Sequence, residues 1–150
     1  MSRHTYLCPL RWADMDPFGH VNNTLFVAYL EQARVDLLFH RASQEGIRTI
    51  SEGTVVARHE IDYLRPVRYQ HRPLRIDIWC SRIAGASFTM DYEIFDGTDG
   101  TTGSKTGARE WLAARARSLL VPYDLAAGRP RRLTPGEREF LGGYLEGQPG

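Results

Sequence analysis

The chain is poor in cysteine, balanced in charge and without a long apolar run. Its two cysteines, Cys8 and Cys80, form no C-x-x-C pair and no metal-ligand spacing. That pattern points to reduced thiols rather than a disulfide framework. A formal net charge of +1 removes the electrostatic reason to expect nucleic acid or an anionic membrane as a partner. No stretch approaches the roughly 18–20 apolar residues that cross a bilayer. The opening residues MSRHTYLCPL contain no hydrophobic segment of signal-peptide length, so a cytoplasmic location is expected. Internal repeats and low-complexity tracts are missing too. The composition, 42% hydrophobic and 25% charged over 150 residues, is that of an ordinary globular chain. Its length suits one domain, 1–150, with a substantial core.

What is present is periodicity. Residues 5–12 (TYLCPLRW) read as a strand, interrupted by Pro9 and therefore suited to a sheet edge. From Thr24 to about Phe39, apolar residues recur at helical spacing: Phe26, Tyr29, Leu30, Ala33, Leu37, Leu38. Asn22 and Asn23 are both suitable N-caps for that helix. The period then changes to two. Val55, Ala57, Ile61 and Tyr63 fall on one face of a strand, with Arg58, Glu60 and Asp62 on the other. Leu74, Ile76, Ile78 and Cys80 alternate in a second run, and Phe88, Met90, Tyr92 and Ile94 in a third. Ala84-Gly85-Ala86 and the stretch from Asp96 through Thr98 and Asp99 to Gly100 supply turns. The three runs are consecutive, so an antiparallel meander is expected. A short helix is expected from about Pro135 to Leu145. The class is α+β, with one helix on one sheet face.

Chemistry concentrates in DMDPFGHVNN, residues 14–23. D-x-D-x-x-G opens a calcium loop, but Phe18 and Leu25 stand where an EF-hand needs oxygen ligands. That reading fails. A transition-metal site from Asp14, Asp16 and His20 would need a distant fourth partner such as His59 or His71. Turn chemistry accounts for Pro17, Gly19 and one asparagine. It leaves a second carboxylate, a histidine and a second asparagine without a role, and the residues alone leave structure and catalysis both open.

RWADMDPFGHVNNTLFVAYLEQAR resembles the signature of hotdog-fold acyl-CoA thioesterases of the 4-hydroxybenzoyl-CoA thioesterase type. IDYLRPVRY at 61–69 is similar to that family's second strand, and LLVPYDLAAGRPRRL at 119–133 to the end of its last strand and the loop beyond. The resemblance implies an antiparallel five- to six-stranded sheet wrapped around one long central helix. It also implies that the Ala-, Leu- and Arg-rich segment from Lys105 to Val121, a helix by propensity, is a strand. The implied reaction is hydrolysis of an acyl-CoA to free acid and CoA, with no cofactor and no metal. The implied assembly is a homodimer or a dimer of dimers, the homotetramer.

Carried over onto this chain, the catalytic carboxylate falls on Asp16. The donor that polarises the carbonyl is a backbone N–H at the helix start, near Asn23. The physical sense is clear, because helix N-termini carry about half a positive charge and are aimed at a developing oxyanion. Asp16 serves either as nucleophile or as the base that activates water. His20 and Asn23 are expected to position substrate or water. Gly19, Val21, Asn22, Tyr29, Tyr63, Arg65 and Arg68 make up the expected substrate-binding set, while Asp14 is expected to be structural. The chain departs from the family pattern at Trp12 and Asn23, where relatives often carry Tyr and His. The Gly-His-Val-Asn-Asn turn is similar to that of acyl-ACP thioesterases, which keeps acyl carrier protein as an alternative to CoA. A non-catalytic acyl-binding module is the alternative from another class.

Other candidates have plainer readings. Glu31 is expected to pair with Arg34 along the helix, and His59 to be a hydrogen-bonded core histidine. Two basic groups could meet CoA phosphates: Arg65, Arg68, His71 and Arg72, and separately Arg129, Arg131 and Arg132. Neither has the aromatic interleaving of a single-strand nucleic-acid groove.

Overall fold

A computed structural model describes residues 3–97 and 110–147. The expected turn residues Thr98, Asp99 and Gly100, and the start of the segment from Lys105, lie outside the described residues.

Strand β1 (His4–Cys8) stops where Pro9 removes the next ladder donor, and Trp12–Asp14 make a 3-10 turn. The strand is therefore shorter than the expected 5–12. The central helix α1 begins at Asn23, because the Asn22 side chain accepts the Thr24 N–H at 2.9 Å and caps it. It runs as α-helix over Asn23–Arg34, as π-helix over Val35–Arg41, and closes with a turn at Ala42–Gln44. It thus extends past the expected end at Phe39. The apolar stripe continues: Leu37, Leu38 and Ala42 are all buried, and the π segment, with Ala42 N–H donating to the Leu37 carbonyl, keeps that stripe on the sheet.

After the short helix α2 (Thr49–Glu52) come β2 (Thr54–Tyr63), β3 (Leu74–Ile83), β4 (Phe88–Asp96), β5 (Trp111–Asp124) and β6 (Arg129–Pro130), then α3 (Pro135–Gly142). The sheet order is β1-β3-β4-β5-β2, with β6 paired to β5 and every named pair antiparallel. Of the meander expected for β2, β3 and β4, the β3–β4 pair holds and continues into β5, but β2 does not pair with β3 and lies beside β5 at the far edge. The connections explain the difference. β3 and β4 are joined by Ala84–Ser87, a tight turn, whereas Tyr63 and Leu74 are separated by a stretch with Pro66 and Pro73 that cannot fold back as a hairpin.

The β2 face assignment also changes. A bulge between Val56 and Arg58 places Val56 opposite Leu120 and His59 opposite Ser118, both inward-facing partners. The inner row is thus Val56, His59, Ile61 and Tyr63, and Val55 lies on the other side. β3 and β4 keep the expected alternation, with Leu74, Ile76, Ile78, Cys80, Phe88, Met90, Tyr92 and Ile94 all buried against Leu30, Ala33 and Leu37 of α1. β5 is a strand despite its propensity. From Ala114 to Pro122 every second residue is buried, and cross-strand packing overrides the helical preference of Ala and Arg. Cys8 and Cys80 are buried free thiols whose pKa values burial pushes up to about 12 and about 11.

Candidate active site

The polar turn folds as a hairpin. Asp-Pro-x-Gly suits it: Asp16 opens the turn, Pro17 presets the next φ, and Gly19 adopts φ 78°, in the left-handed region. The Gly19 N–H donates to the Asp16 carbonyl at 3.0 Å, and the Asp16 N–H to the His20 carbonyl at 2.8 Å. Met15 and Val21 close the loop as an antiparallel bridge. The Asp16 carboxylate is held from inside: Oδ1 accepts the Phe18 N–H at 2.9 Å and the His20 N–H at 3.3 Å. Oδ2 has no donor among the described residues, so one oxygen fixes the carboxylate and the other stays available.

Asp14, two residues earlier, is buried and fully engaged. Its Oδ1 accepts from Arg11 Nε and Nη2 at 3.1 and 2.9 Å, and its Oδ2 accepts the Tyr29 hydroxyl at 2.7 Å. Burial alone would raise its pKa. The hydrogen bonds from Tyr29 and Arg11 outweigh burial and hold it below the usual carboxylate range. The structural role expected of Asp14 rests mainly on these side chains, and the Arg11 backbone N–H adds a longer bond to Oδ2 at 3.4 Å. The Asp14 carbonyl adds a further tie, accepting the Asn22 N–H at 2.9 Å.

The helix start is arranged around one open donor. The Val21 N–H goes to the Val67 carbonyl, Asn22 to Asp14, and Leu25 to the Asn22 carbonyl. The Asn22 side chain takes both Thr24 N–H and Thr24 Oγ1–H. That leaves the Asn23 N–H without an acceptor among the described residues, at the positive end of α1. The Tyr63 hydroxyl donates to the Asn23 carbonyl at 3.0 Å, joining the end of β2 to the helix start.

Asp16, His20, Val21, Asn23, Tyr63 and Arg65 line one cleft of about 310 Å³. Phe26, Leu64 and Pro66 complete its walls. Leu64 and Pro66 were not singled out from sequence; their only signal is adjacency to Tyr63 and Arg65 across the β2 exit. Other sequence candidates sit elsewhere. Tyr29 is buried with its hydroxyl on Asp14. Gly19 and Asn22 shape the turn and the cap without lining the cleft. Arg68 forms a backbone bridge with His20, whereas Arg65 is at the cleft with its guanidinium 5.3 Å from the Trp111 ring centroid. Arg131 is bound to buried Glu137 and is not free for phosphate. Glu31 makes no ion pair with Arg34, which turns inward to the Tyr92 hydroxyl at 3.2 Å. Among the described residues no group of three or more His, Cys, Asp or Glu is placed to hold a metal ion.

Residues 10–141 match the model of the thioesterase-like superfamily. The chain belongs to that family. A solved structure of a predicted thioesterase from Bacillus stearothermophilus is similar over 99% of this chain and 100% of its own, at TM-score 0.75 and 24% identity. A thioesterase from Thermus thermophilus, complexed with coenzyme A and Zn, is similar over 93% and 92%, at TM-score 0.71 and 28% identity. A mutant 4-hydroxybenzoyl CoA thioesterase complexed with 4-hydroxybenzoyl CoA is similar at TM-score 0.73 over 93% and 98%, at 18% identity, a likeness of fold alone. The uncharacterized protein YsmA of Bacillus subtilis (strain 168) is 32% identical over 87 residues, and the chain spans about half of its length (54%). The antiparallel sheet curled over one long helix is the hotdog fold of this family. No helix among the described residues is long and apolar enough to cross a membrane.

Proposed function

We propose that this member of the thioesterase-like superfamily hydrolyses acyl-CoA thioesters in the cleft between the α1 N-terminus and the end of β2. The observation that carries the reading is the pairing of a half-engaged Asp16 carboxylate with the unengaged Asn23 N–H at the same cleft. The thioester carbonyl oxygen accepts the Asn23 N–H, and the helix dipole stabilises the charge that builds there as the carbon is attacked. Asp16 Oδ2 either attacks the carbonyl carbon, giving an acyl-enzyme anhydride that water opens, or takes a proton from the water that attacks. In both routes the C–S bond breaks and CoA leaves as the thiolate. Tyr63, on the Asn23 carbonyl, holds the helix start in register with β2, and His20 is placed to orient substrate or water. Arg65 and Arg68 supply guanidinium groups for the CoA phosphates. The catalysis asks for no cofactor. The coenzyme A bound by the Thermus relative supports CoA as the carrier.

The same reading includes a homodimer, alone or paired as a dimer of dimers. β2 is a sheet edge, with Val55, Val56, Tyr63 and Leu64 each 38–48% exposed. Long apolar edges invite strand pairing, and a second β2 laid along this one extends the sheet and roofs the cleft.

A hydrolysis screen across aromatic, short and long acyl-CoAs, with Asp16→Asn run beside wild type, tests the proposal. The expected outcome is turnover of at least one thioester and a loss of about 10²–10⁴-fold on substitution, the usual range for a positioned acid–base group. Full activity in Asp16→Asn, or no turnover of any thioester, overturns it. Label found in the enzyme carboxylate after a single turnover in ¹⁸O-water identifies Asp16 as the nucleophile, because general-base attack puts the label in the product acid alone.

A further inference from the structure

The cleft is one end of a longer seam. Phe26 of α1 meets Tyr63 of β2 edge-to-face, ring centroids 5.3 Å apart. Further along, the two elements are tied a second time by the hydrogen-bond chain from Arg34 through Tyr92 and Ser118 to His59. Leu30 and Arg34 follow Phe26 at four-residue steps along the helix, and Ile61 and His59 follow Tyr63 at two-residue steps along the strand's inner row. Eight helical residues at 1.5 Å and four strand residues at about 3.3 Å both reach about 12–13 Å, so Arg34 and His59 form a second rung at the same depth.

That rung is polar where the rest of the seam is apolar. Arg34 is buried, 8% exposed, and among the described residues no carboxylate pairs with it. One of its five N–H donors goes to the Tyr92 hydroxyl. Tyr92 in turn donates to Ser118 Oγ at 2.9 Å, and Ser118 lies 2.7 Å from His59 Nδ1. With its oxygen receiving Tyr92, Ser118 donates its own proton to Nδ1. Burial, with Arg34 pushing the same way, lowers the His59 pKa, while Glu31 opposes both, so the imidazole is neutral with its proton on Nε2. The relay is polarised from Arg34 to His59, and both ends have N–H donors to spare. A buried guanidinium without a counter-charge is unfavourable, and an anion is what such a cluster binds best.

We propose that the Arg34–His59 rung receives a terminal carboxylate of the acyl group, so that the substrate is the CoA thioester of a dicarboxylic acid whose apolar chain spans the seam from Asp16. The substrate half of this inference rests on the thioesterase reading; the anion site does not.

Calorimetric titration of the protein with the monoamide of octanedioate, which keeps one carboxylate, and with octanamide, which has none, tests the site without catalysis. The monoamide is expected to bind at least about tenfold more tightly, as one charge-assisted hydrogen-bonded pair provides, and Arg34→Gln is expected to abolish the difference. His59→Leu, at a half-exposed position where folding is less at risk, is expected to reduce it several-fold. Equal affinity of wild type for the two amides overturns the proposal, as does a preference that survives both a folded Arg34→Gln and His59→Leu. In parallel, kcat/KM for octanedioyl-CoA is expected to exceed that for octanoyl-CoA. A protein that prefers the monoamide yet hydrolyses no thioester keeps the site and refutes the thioesterase reading instead.

Discussion

Asp14 and Asp16 stand two residues apart and face opposite ways. Asp14 is buried against Arg11 and Tyr29, whereas Asp16 is held by two backbone N–H groups with one oxygen toward the cleft. Two identical side chains in one turn thereby take a structural and a chemical position, decided by which neighbours reach each one.

That separation gives opposite phenotypes. Asp16→Asn keeps an amide oxygen for the Phe18 and His20 N–H groups, so the thermal midpoint is expected to stay near wild type while turnover collapses. Asp14→Ala leaves the Tyr29 hydroxyl and the Arg11 fork without their buried acceptor. It is expected to cost about 1–3 kcal/mol of stability, the range for one orphaned buried group, the Tyr29 hydroxyl, since the exposed Arg11 side chain can turn to water. Urea melts and steady-state rates on the two variants check both halves.

Gly19→Ala isolates backbone strain. A Cβ at Gly19 meets nothing within 4 Å, yet φ is 78°. The substitution is expected to cost about 1–2 kcal/mol from the left-handed conformation alone. Because the same turn aims Asp16, kcat is expected to fall further than KM changes. Gly19→Asn, which tolerates that region better, is expected to recover part of both.

Acid stability has an identifiable source away from the cleft. Glu137 is fully buried. Its burial works against ionisation, but hydrogen bonds from Arg131, the Thr134 N–H and Thr49 bring its pKa down to about 2 from 4.5. A depressed carboxylate stabilises the fold above its unfolded pKa, and that contribution is lost as pH falls through the folded value. About 3 kcal/mol is expected to disappear between about pH 4.5 and pH 2, at about 1.36 kcal/mol per unit. Thermal melts against pH should show this slope flattened in Glu137→Gln.

The β2 edge makes an assembly state testable. Val56→Lys puts a charge on the exposed inner row of that strand and is expected to shift a dimer to monomer in light scattering. Activity is expected to fall with the dimer, since the cleft then loses its roof. An unchanged mass would place the interface elsewhere.

Local chemistry was legible wherever neighbours in sequence are the partners. Asp-Pro-x-Gly writes a turn, Asn22 writes a cap, and the alternation in β3 and β4 writes two strands with one apolar face. Those signals also bring Asp16, His20 and Asn23 to one place, because the turn and the helix start are contiguous. β5 was not legible by propensity: Ala and Arg favour a helix in isolation, and only the resemblance pointed to a strand.

The sequence by itself determined the hairpin, the helix start and the faces of the middle strands, since each follows from backbone preferences within a few residues. Tertiary structure alone decided that β2 lies beside β5, that its bulge turns Val56 inward, that Asp14 meets Tyr29, and that Arg34 abandons Glu31 for Tyr92. These depend on which distant surfaces exclude water together, and on which buried polar groups then find one another.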